Sequence, residues 1–309
     1  MKTKHFLIII SAIFLSTSCL RLDDFLYNPN ANPINEYLLG DYLGEVEFSL
    51  PDSMRLNSNM IHLFQIDSDD HGDKQKIWAL YLGDITRIQT DTVILYCHGN
   101  KDHMDFYYPR TQLLTHAGGL HRYGVMMFDY RGFGLSGGQP TESGLYADTR
   151  AALQWLKDNG LTGDRLVMYG FSMGTAPATR LTAHSDILQP SKLILEAPFA
   201  SAGVFVQDGA GLAIPGSYFV NLEIDNAEKI KFVEEPFLWI HGTNDSFISM
   251  YTHGNVVFAN YRGISGFACR VGGADHSDCP PVLGFSNYLN IIHEFIRGEL
   301  QYSPQITQD

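Results

Sequence analysis

Positive charge is scarce in this chain. Its 21 Lys and Arg stand against 34 Asp and Glu, a formal net charge of −13. Nucleic acid is therefore not expected as a partner, because phosphate binding needs clustered Lys and Arg. The acidic excess reads as a solubility feature and points to no substrate. The apolar run Phe6–Leu15 has ten residues, about half of the roughly 20 that cross a bilayer. No internal repeat is visible. Cysteine is sparse, with four in 309 residues. Cys97 lies in an apolar strand pattern and is expected as a buried core thiol. Cys269 and Cys279 lie on either side of His276, and spacing alone leaves a disulfide between them open.

What is present is apolar material, 45% of residues, enough for one large α/β domain. The first residues are read as a targeting segment rather than fold. Lys2 and Lys4 precede the apolar run, and Ser16-Thr17-Ser18 supply small residues before Cys19. Cysteine at that point resembles a bacterial lipobox, which implies lipidation of Cys19, although Leu15 stands four residues before it rather than three. The alternative is an ordinary secretory signal with Cys19 incidental. Cleavage before Cys19 removes two lysines and no acid, taking −13 to −15. The expectation is an exported, membrane-anchored bacterial lipoprotein facing the periplasm or cell surface. Residues 1–18 are then the signal peptide and 19–36 the lipid-anchor tether, including the Asn/Pro stretch Asn28–Asn35. Residues 37–299 are the domain and 300–309 a C-terminal tail.

Strands are predicted at Glu45–Leu50, Met60–Gln65, Ile77–Leu82, Thr92–Cys97, Gly124–Phe128, Arg165–Tyr169, Lys192–Leu195, Phe237–Ile240 and Phe267–Val271. The clearest helix is Ser143–Asn159, with Leu145, Ala151, Ala152, Trp155 and Leu156 on one face. Early strands without helices, then strand–helix alternation, predict an α/β fold with a mostly parallel central sheet flanked by helices.

Chemistry enters at Gly170-Phe171-Ser172-Met173-Gly174, a G-x-S-x-G between a predicted strand and a predicted helix. Such a turn lifts a serine hydroxyl above the sheet edge as a nucleophile. The motif alone is weak, arising by chance roughly one time in ten in a chain this long. It occurs twice here, because Gly134-Leu-Ser136-Gly-Gly138 also fits. Ser136 runs on into Gly-Gly-Gln-Pro140, a loop. Ser172 runs on into a plausible helix whose Pro177 falls in the first turn, where no backbone bond is lost. Ser172 is the candidate nucleophile.

A base and an acid should follow, each at the end of a later strand. Phe237–Ile240 runs into His241-Gly-Thr-Asn-Asp245, and Phe267–Val271 into Gly-Gly-Ala-Asp-His276. His276 is the candidate base and Asp245 its orienting acid. Each residue alone could be a surface histidine or a turn aspartate. His293 lies in a helical pattern, and Asp275 is too close in sequence to orient its neighbour. Met173 N–H is the candidate first oxyanion donor. The second comes from the loop His98-Gly99-Asn100-Lys101, with Asn100 preferred and Lys101 its rival.

Taken together, these motifs resemble the α/β-hydrolase superfamily over about Leu43 to Phe295. The likeness is strongest to the small-lid branch related to serine aminopeptidases, monoacylglycerol lipases and protein depalmitoylases. It rests on His98-Gly-Asn100, Asp129–Gly138 with Pro140–Asp148, Gly170–Gly174, Glu228-Lys-Ile230, His241–Asp245 and the His276 loop. It implies that Asp129–Gly138 is structural and that a short lid lies at about 199–228. Where the branch often has Val-Pro after the acid, this chain has Phe247-Ile248-Ser249. Where a small residue usually follows Asn100, it has Lys101, Asp102 and His103.

The lid's Phe199, Val204, Phe205, Val206, Leu212, Ile214, Pro215, Tyr218 and Phe219 read either as an acyl-chain wall or as packing of a helix onto the sheet. The leading expectation is an ester or thioester hydrolase working on a small or acylated substrate through an acyl-enzyme, with neither metal nor cofactor. An aminopeptidase is the enzymatic rival, and would need Asp102 or Asp105 to bind the substrate amine. A non-catalytic binding lipoprotein on the same scaffold is the alternative of another class. Haloalkane dehalogenation is disfavoured, since the elbow carries serine where that chemistry needs aspartate.

Overall fold

A computed structural model of the chain describes residues 26–29, 32–42, 44, 49–211, 215–218, 220–301 and 305–306. The predicted signal segment, Cys19 and most of the strand predicted at 45–50 lie outside these residues.

The apolar runs become strands of one sheet. In order these are β1 (Ile61–Asp70), β2 (Asp73–Leu82), β3 (Val93–Cys97), β4 (Gly124–Phe128), β5 (Leu166–Phe171), β6 (Lys192–Glu196), β7 (Phe237–Gly242), β8 (Gly266–Val271) and β9 (Gln305–Ile306). Their spatial order is β1-β2-β4-β3-β5-β6-β7-β8-β9. The β1–β2 and β2–β4 pairs are antiparallel, and every later pair is parallel. The expected sheet with an antiparallel start is present. The hairpin β1–β2 is longer than predicted, because His71 and Gly72 turn at φ of +52° and +100° and let polar Ser68 to Gln75 continue the ladder. Part of the stretch read as a tail also adds to the sheet, Gln305–Ile306 pairing with Arg270–Val271.

Both faces of the sheet are covered, which is why its central strands read as unbroken apolar runs. Alternation divides them: Val93, Leu95, Leu166 and Met168 pack in one core, Ile94, Tyr96, Val167 and Tyr169 in the other. The helices are α1 (Met104–Leu114), α2 (Glu142–Asp158), α3 (Thr175–Ala183), α4 (Ala202–Gly209), α5 (Asn226–Lys229), α6 (Asn255–Asn260), α7 (Cys279–Leu283) and α8 (Phe285–Arg297). Helices α2 and α3 serve the first core through residues such as Leu145, Leu156 and Leu181, and α1 and α8 the second through Leu113 and Ile292. Helix α2 begins one residue earlier than predicted, because Thr141 caps it by accepting Gly144 N–H at 2.9 Å.

Two expectations change. The Asn/Pro stretch read as a tether is docked, at least over its described residues. Leu26 is buried, Asn28 N donates to the Asn100 carbonyl at 3.0 Å, and Asn32 Nδ2 donates to Asp102. Asparagine amides and backbone found acceptors on the body, a contact composition does not announce. In the lid, Phe199, Phe205 and Val206 are buried in the first core, so this part packs a helix onto the sheet. Leu212, Ile214 and Phe219 lie outside the described residues.

Candidate active site

The turn at Ser172 is tight because two glycines let strand, turn and helix meet. A Cβ on Gly170 would lie 2.6 Å from the Gly174 carbonyl oxygen, and one on Gly174 would lie 2.0 Å from that of Cys97. Ser172 itself sits at φ +52°, the left-handed region that an L-residue enters only under constraint. Its carbonyl is held by Thr175 Oγ1 at 2.6 Å, and its hydroxyl faces His276. A 3-10 turn, Ser172–Gly174, carries Met173 into α3, whose first N–H groups have no partner within the helix.

His276 and Asp245 arrive from loops after β8 and β7. His276 Nε2 is 3.0 Å from Ser172 Oγ, and His276 Nδ1 is 2.9 Å from Asp245 Oδ2. A carboxylate only accepts, so Nδ1 carries the proton and the neutral ring offers its Nε2 lone pair to the hydroxyl. Phe171 and Phe247 flank the imidazole, with ring centroids 5.2 and 5.0 Å away. The structure thus brings together Ser172, His276 and Asp245, the three residues singled out in the sequence.

Asp245 is more fully engaged than expected. Its Oδ1 accepts Phe247 N–H at 3.0 Å and Ile248 N–H at 2.7 Å. Its Oδ2 also faces His241 Nε2 at 3.1 Å. Trp239 Nε1–H, which can only donate, points at His241 Nδ1 at 3.1 Å. The neutral His241 ring therefore carries its proton on Nε2 and donates toward Asp245 and the Ile248 carbonyl, 2.9 Å away. Burial pushes the Asp245 carboxyl up, but the hydrogen bonds donated by His241 and His276 outweigh it and hold it well below the usual range. Sequence reading placed His241 only in a motif; its spacing from Asp245 held the signal, but its partner Trp239 was needed to assign the proton.

The loops are tied to one another. Asp275 Oδ1 accepts the Ser246 and His276 backbone N–H groups, each at 2.8 Å, stapling acid loop to base loop. Beneath them, Arg110 Nη1 meets Glu196 Oε1 at 3.1 Å and Nη2 donates to the Ser277 carbonyl. The Arg110 guanidinium also lies 4.2 Å from the Phe171 ring centroid. Tyr169 and Tyr288 hydroxyls complete the Glu196 cluster. Nothing in the local sequence marks Arg110 or Glu196, which meet only through the fold.

The other serine is differently placed. Ser136 Oγ accepts Trp78 N–H at 2.9 Å and donates to the Asp129 carbonyl at 2.8 Å. Cys97, Cys269 and Cys279 are all free and buried. Burial pushes the Cys269 thiol up to about 12. His293 sits in α8 and pairs with the Tyr123 hydroxyl at 2.8 Å. No group of three or more His, Cys, Asp or Glu suited to hold a metal occurs among the described residues.

A cavity of about 560 Å³ opens over Ser172 and His276. Tyr27, Asn28, Asn100, Lys101, Phe106 and Phe247 form much of its wall. None of the described lid residues, 199–211, 215–218 and 220–228, lines it. Asn100 and Lys101 both reach it, so either remains available as the second oxyanion donor. Asp102 and Asp105 are buried elsewhere: Asp102 accepts from Asn32, and Asp105 accepts Leu38 and Leu39 N–H at 2.7 Å each.

Comparison with known proteins agrees with this architecture. The family model described as serine aminopeptidase, S33, matches residues 88–235. The alpha/beta hydrolase domain-containing protein aho-3 of Caenorhabditis elegans is 32% identical over 209 residues, 67% of this chain and 58% of that protein. The alpha/beta hydrolase domain-containing protein 17B of Homo sapiens is 32% identical over 180 residues, 57% of each. The chain therefore spans less than two thirds of the length of these curated relatives. An esterase of Pyrococcus furiosus shares the fold at a TM-score of 0.62 and 18% identity, over 86% of this chain and 98% of that one. The chain has the α/β-hydrolase fold and is similar in sequence to proteins of that superfamily.

Proposed function

We propose that the chain is a serine hydrolase that cleaves carboxylic esters or thioesters through an acyl-enzyme. The observation that carries this is the unbroken relay Asp245–His276–Ser172, at 2.9 and 3.0 Å. His276 takes the proton as Ser172 Oγ attacks the carbonyl, then returns it to the leaving alcohol or thiol. Water repeats the cycle on the acyl-enzyme. Asp245 holds the imidazole tautomer and offsets the charge that develops on it, and His241 keeps Asp245 aimed. Met173 N–H and a second amide from the Asn100 loop receive the oxyanion. Every group this scheme requires belongs to the protein.

Ester rather than amine-bearing peptide is favoured by the pocket's charge. Among the described residues that line it, Lys101 is the one charged residue and none is a carboxylate. A substrate ammonium would need such a carboxylate, and Asp102 and Asp105 are engaged by the N-terminal segment. A purely binding role leaves the strained elbow and aligned relay without a use, and each is maintained at an energetic cost.

Export and anchoring at Cys19 belong to the same proposal. Leu26, which is docked, lies seven positions after Cys19, so a lipid there would hold the pocket rim within about 25 Å of the membrane. Acylated molecules at that surface are the substrates this arrangement suits. The test is hydrolysis of p-nitrophenyl esters from acetate to palmitate, with Ser172→Ala alongside and mass analysis of the mature N-terminus. Turnover lost in the mutant supports the nucleophile. An inert wild type on every ester overturns the assignment, and an unlipidated Cys19 overturns the anchor.

A further inference from the structure

The N-terminal segment does more than cover the body. Resting on the esterase reading above, we propose that residues 26–29, with Asn32, are a working part of the site. Asn28 acts as a positioning residue for the oxyanion loop, and Tyr27 as a wall of the acyl pocket.

The argument starts from the peptide plane. In a trans peptide the C=O and the following N–H point to opposite sides. The Gly99 carbonyl is held by His98 Nδ1 at 2.8 Å, which aims the Asn100 N–H away from the His98 ring. The next peptide is set differently. Its carbonyl, on Asn100, receives Asn28 N–H at 3.0 Å, which aims the Lys101 N–H away from the strap. The two candidate donors thus owe their directions to two different holders, one in the loop itself and one in the N-terminal strap. Asn28 also bridges Lys101 in a short parallel pairing. Asp102 follows at φ +61° with its side chain buried and held by Asn32 Nδ2. A left-handed aspartate directly after the donor loop persists only while its surroundings impose it.

The same strap enters the cavity. Tyr27 and Asn28 line it together with Ser172 and His276, whereas no described lid residue does. The wall that the superfamily's lid was expected to supply comes here from residues outside the stretch 88–235 matched by the family model. Buried Leu26 anchors one end of the strap. Tyr37, which gives its hydroxyl proton to Asp129 at 2.6 Å and accepts Leu135 N–H at 3.0 Å, anchors the other.

The test compares Asn28→Pro, which deletes the donated N–H, with Asn28→Ala, which keeps it, in the full chain acting on p-nitrophenyl esters. We expect kcat and kcat/KM to fall together in N28P, about tenfold or more below N28A, because an interaction used in the transition state is lost. Tyr27→Ala should instead raise KM, most for the longest esters. Melting temperatures are read in parallel. If N28P is unfolded at the assay temperature, Asn32→Ala takes its place, since it frees Asp102 without touching the backbone, and its kcat should fall. Equal kcat in N28P and N28A overturns the inference, as does an effect confined to the melting temperature. A wild type inert on all esters overturns the esterase reading and this inference with it, and active wild type beside an equally fast N28P overturns the strap's role alone.

Discussion

The chain carries the same five-residue pattern twice, and the two copies do different things. At Gly134–Gly138, Ser136 faces backbone: its hydroxyl joins the Trp78 N–H to the Asp129 carbonyl and is fully used. Gly134 is at φ +52°, and a Cβ there would lie 2.1 Å from Asp129 Oδ2. At Gly170–Gly174 it is the serine that occupies the left-handed region, and its hydroxyl meets an imidazole lone pair instead of a peptide. The pattern specifies a close turn in both places. Which group faces the hydroxyl decides between a brace and a reactive site.

That contrast predicts that substitutions at the elbow change rate and substitutions around the brace change stability. The largest effect belongs to Ser172→Ala, which should lower ester turnover at least about 10⁴-fold while leaving the melting temperature near wild type. Asp245→Asn should follow, at about 10²–10⁴-fold in kcat, because the His276 tautomer is no longer enforced. On the other side, Asp148→Ala removes the one fully buried carboxylate among the partners of the Arg131 guanidinium, met at 2.9 Å, and leaves the more exposed Asp73 at 3.0 Å. Denaturant titration should show a loss of about 3 kcal/mol, with kcat retained by the folded fraction. Ser136→Ala leaves the Trp78 N–H and Asp129 carbonyl without that partner, and should cost about 1–3 kcal/mol with ester turnover unchanged. A Ser136→Ala enzyme that is stable but slow would erase the distinction.

The smallest effects sharpen the same contrast. The native Asp245 carboxyl is held below its usual range, so near pH 4 the unfolded chain binds more protons than the folded one. Its contribution is complete above an unfolded aspartate pKa of about 3.9 and is lost as pH falls toward the native value. Urea midpoints on the acid side of about pH 5 should therefore rise with pH more steeply in wild type than in Asp245→Asn. Reductant should leave the melting temperature in place, since Cys269 and Cys279 are both free and buried.

Much of this was legible along the chain. Strand positions from Gly124 to Val271 were set by apolar runs bounded by turns, and no end there moved by more than two residues. Ser172, Asp245 and His276 could be named because each ends a strand of a parallel sheet, where successive carboxyl ends converge. Illegible were the groups whose roles need a partner far away in sequence. Arg110 meets Glu196 across 86 residues, and Asn28 meets Asn100 across 72. The lid stayed open between two readings for a related reason. An apolar segment reads the same whether it faces a cavity or a core, and here its described aromatics took the core.

The sequence by itself determined the sheet, the elbow and the order of the three candidate catalytic side chains, because local patterning and strand-end position are properties of short stretches. Tertiary structure alone decided which serine faces a histidine, that two histidines converge on Asp245, and that part of an asparagine-rich N-terminal segment lines the pocket. Those outcomes depend on which donor meets which acceptor in space, and hydrogen bonds of that kind leave no periodic trace in the chain.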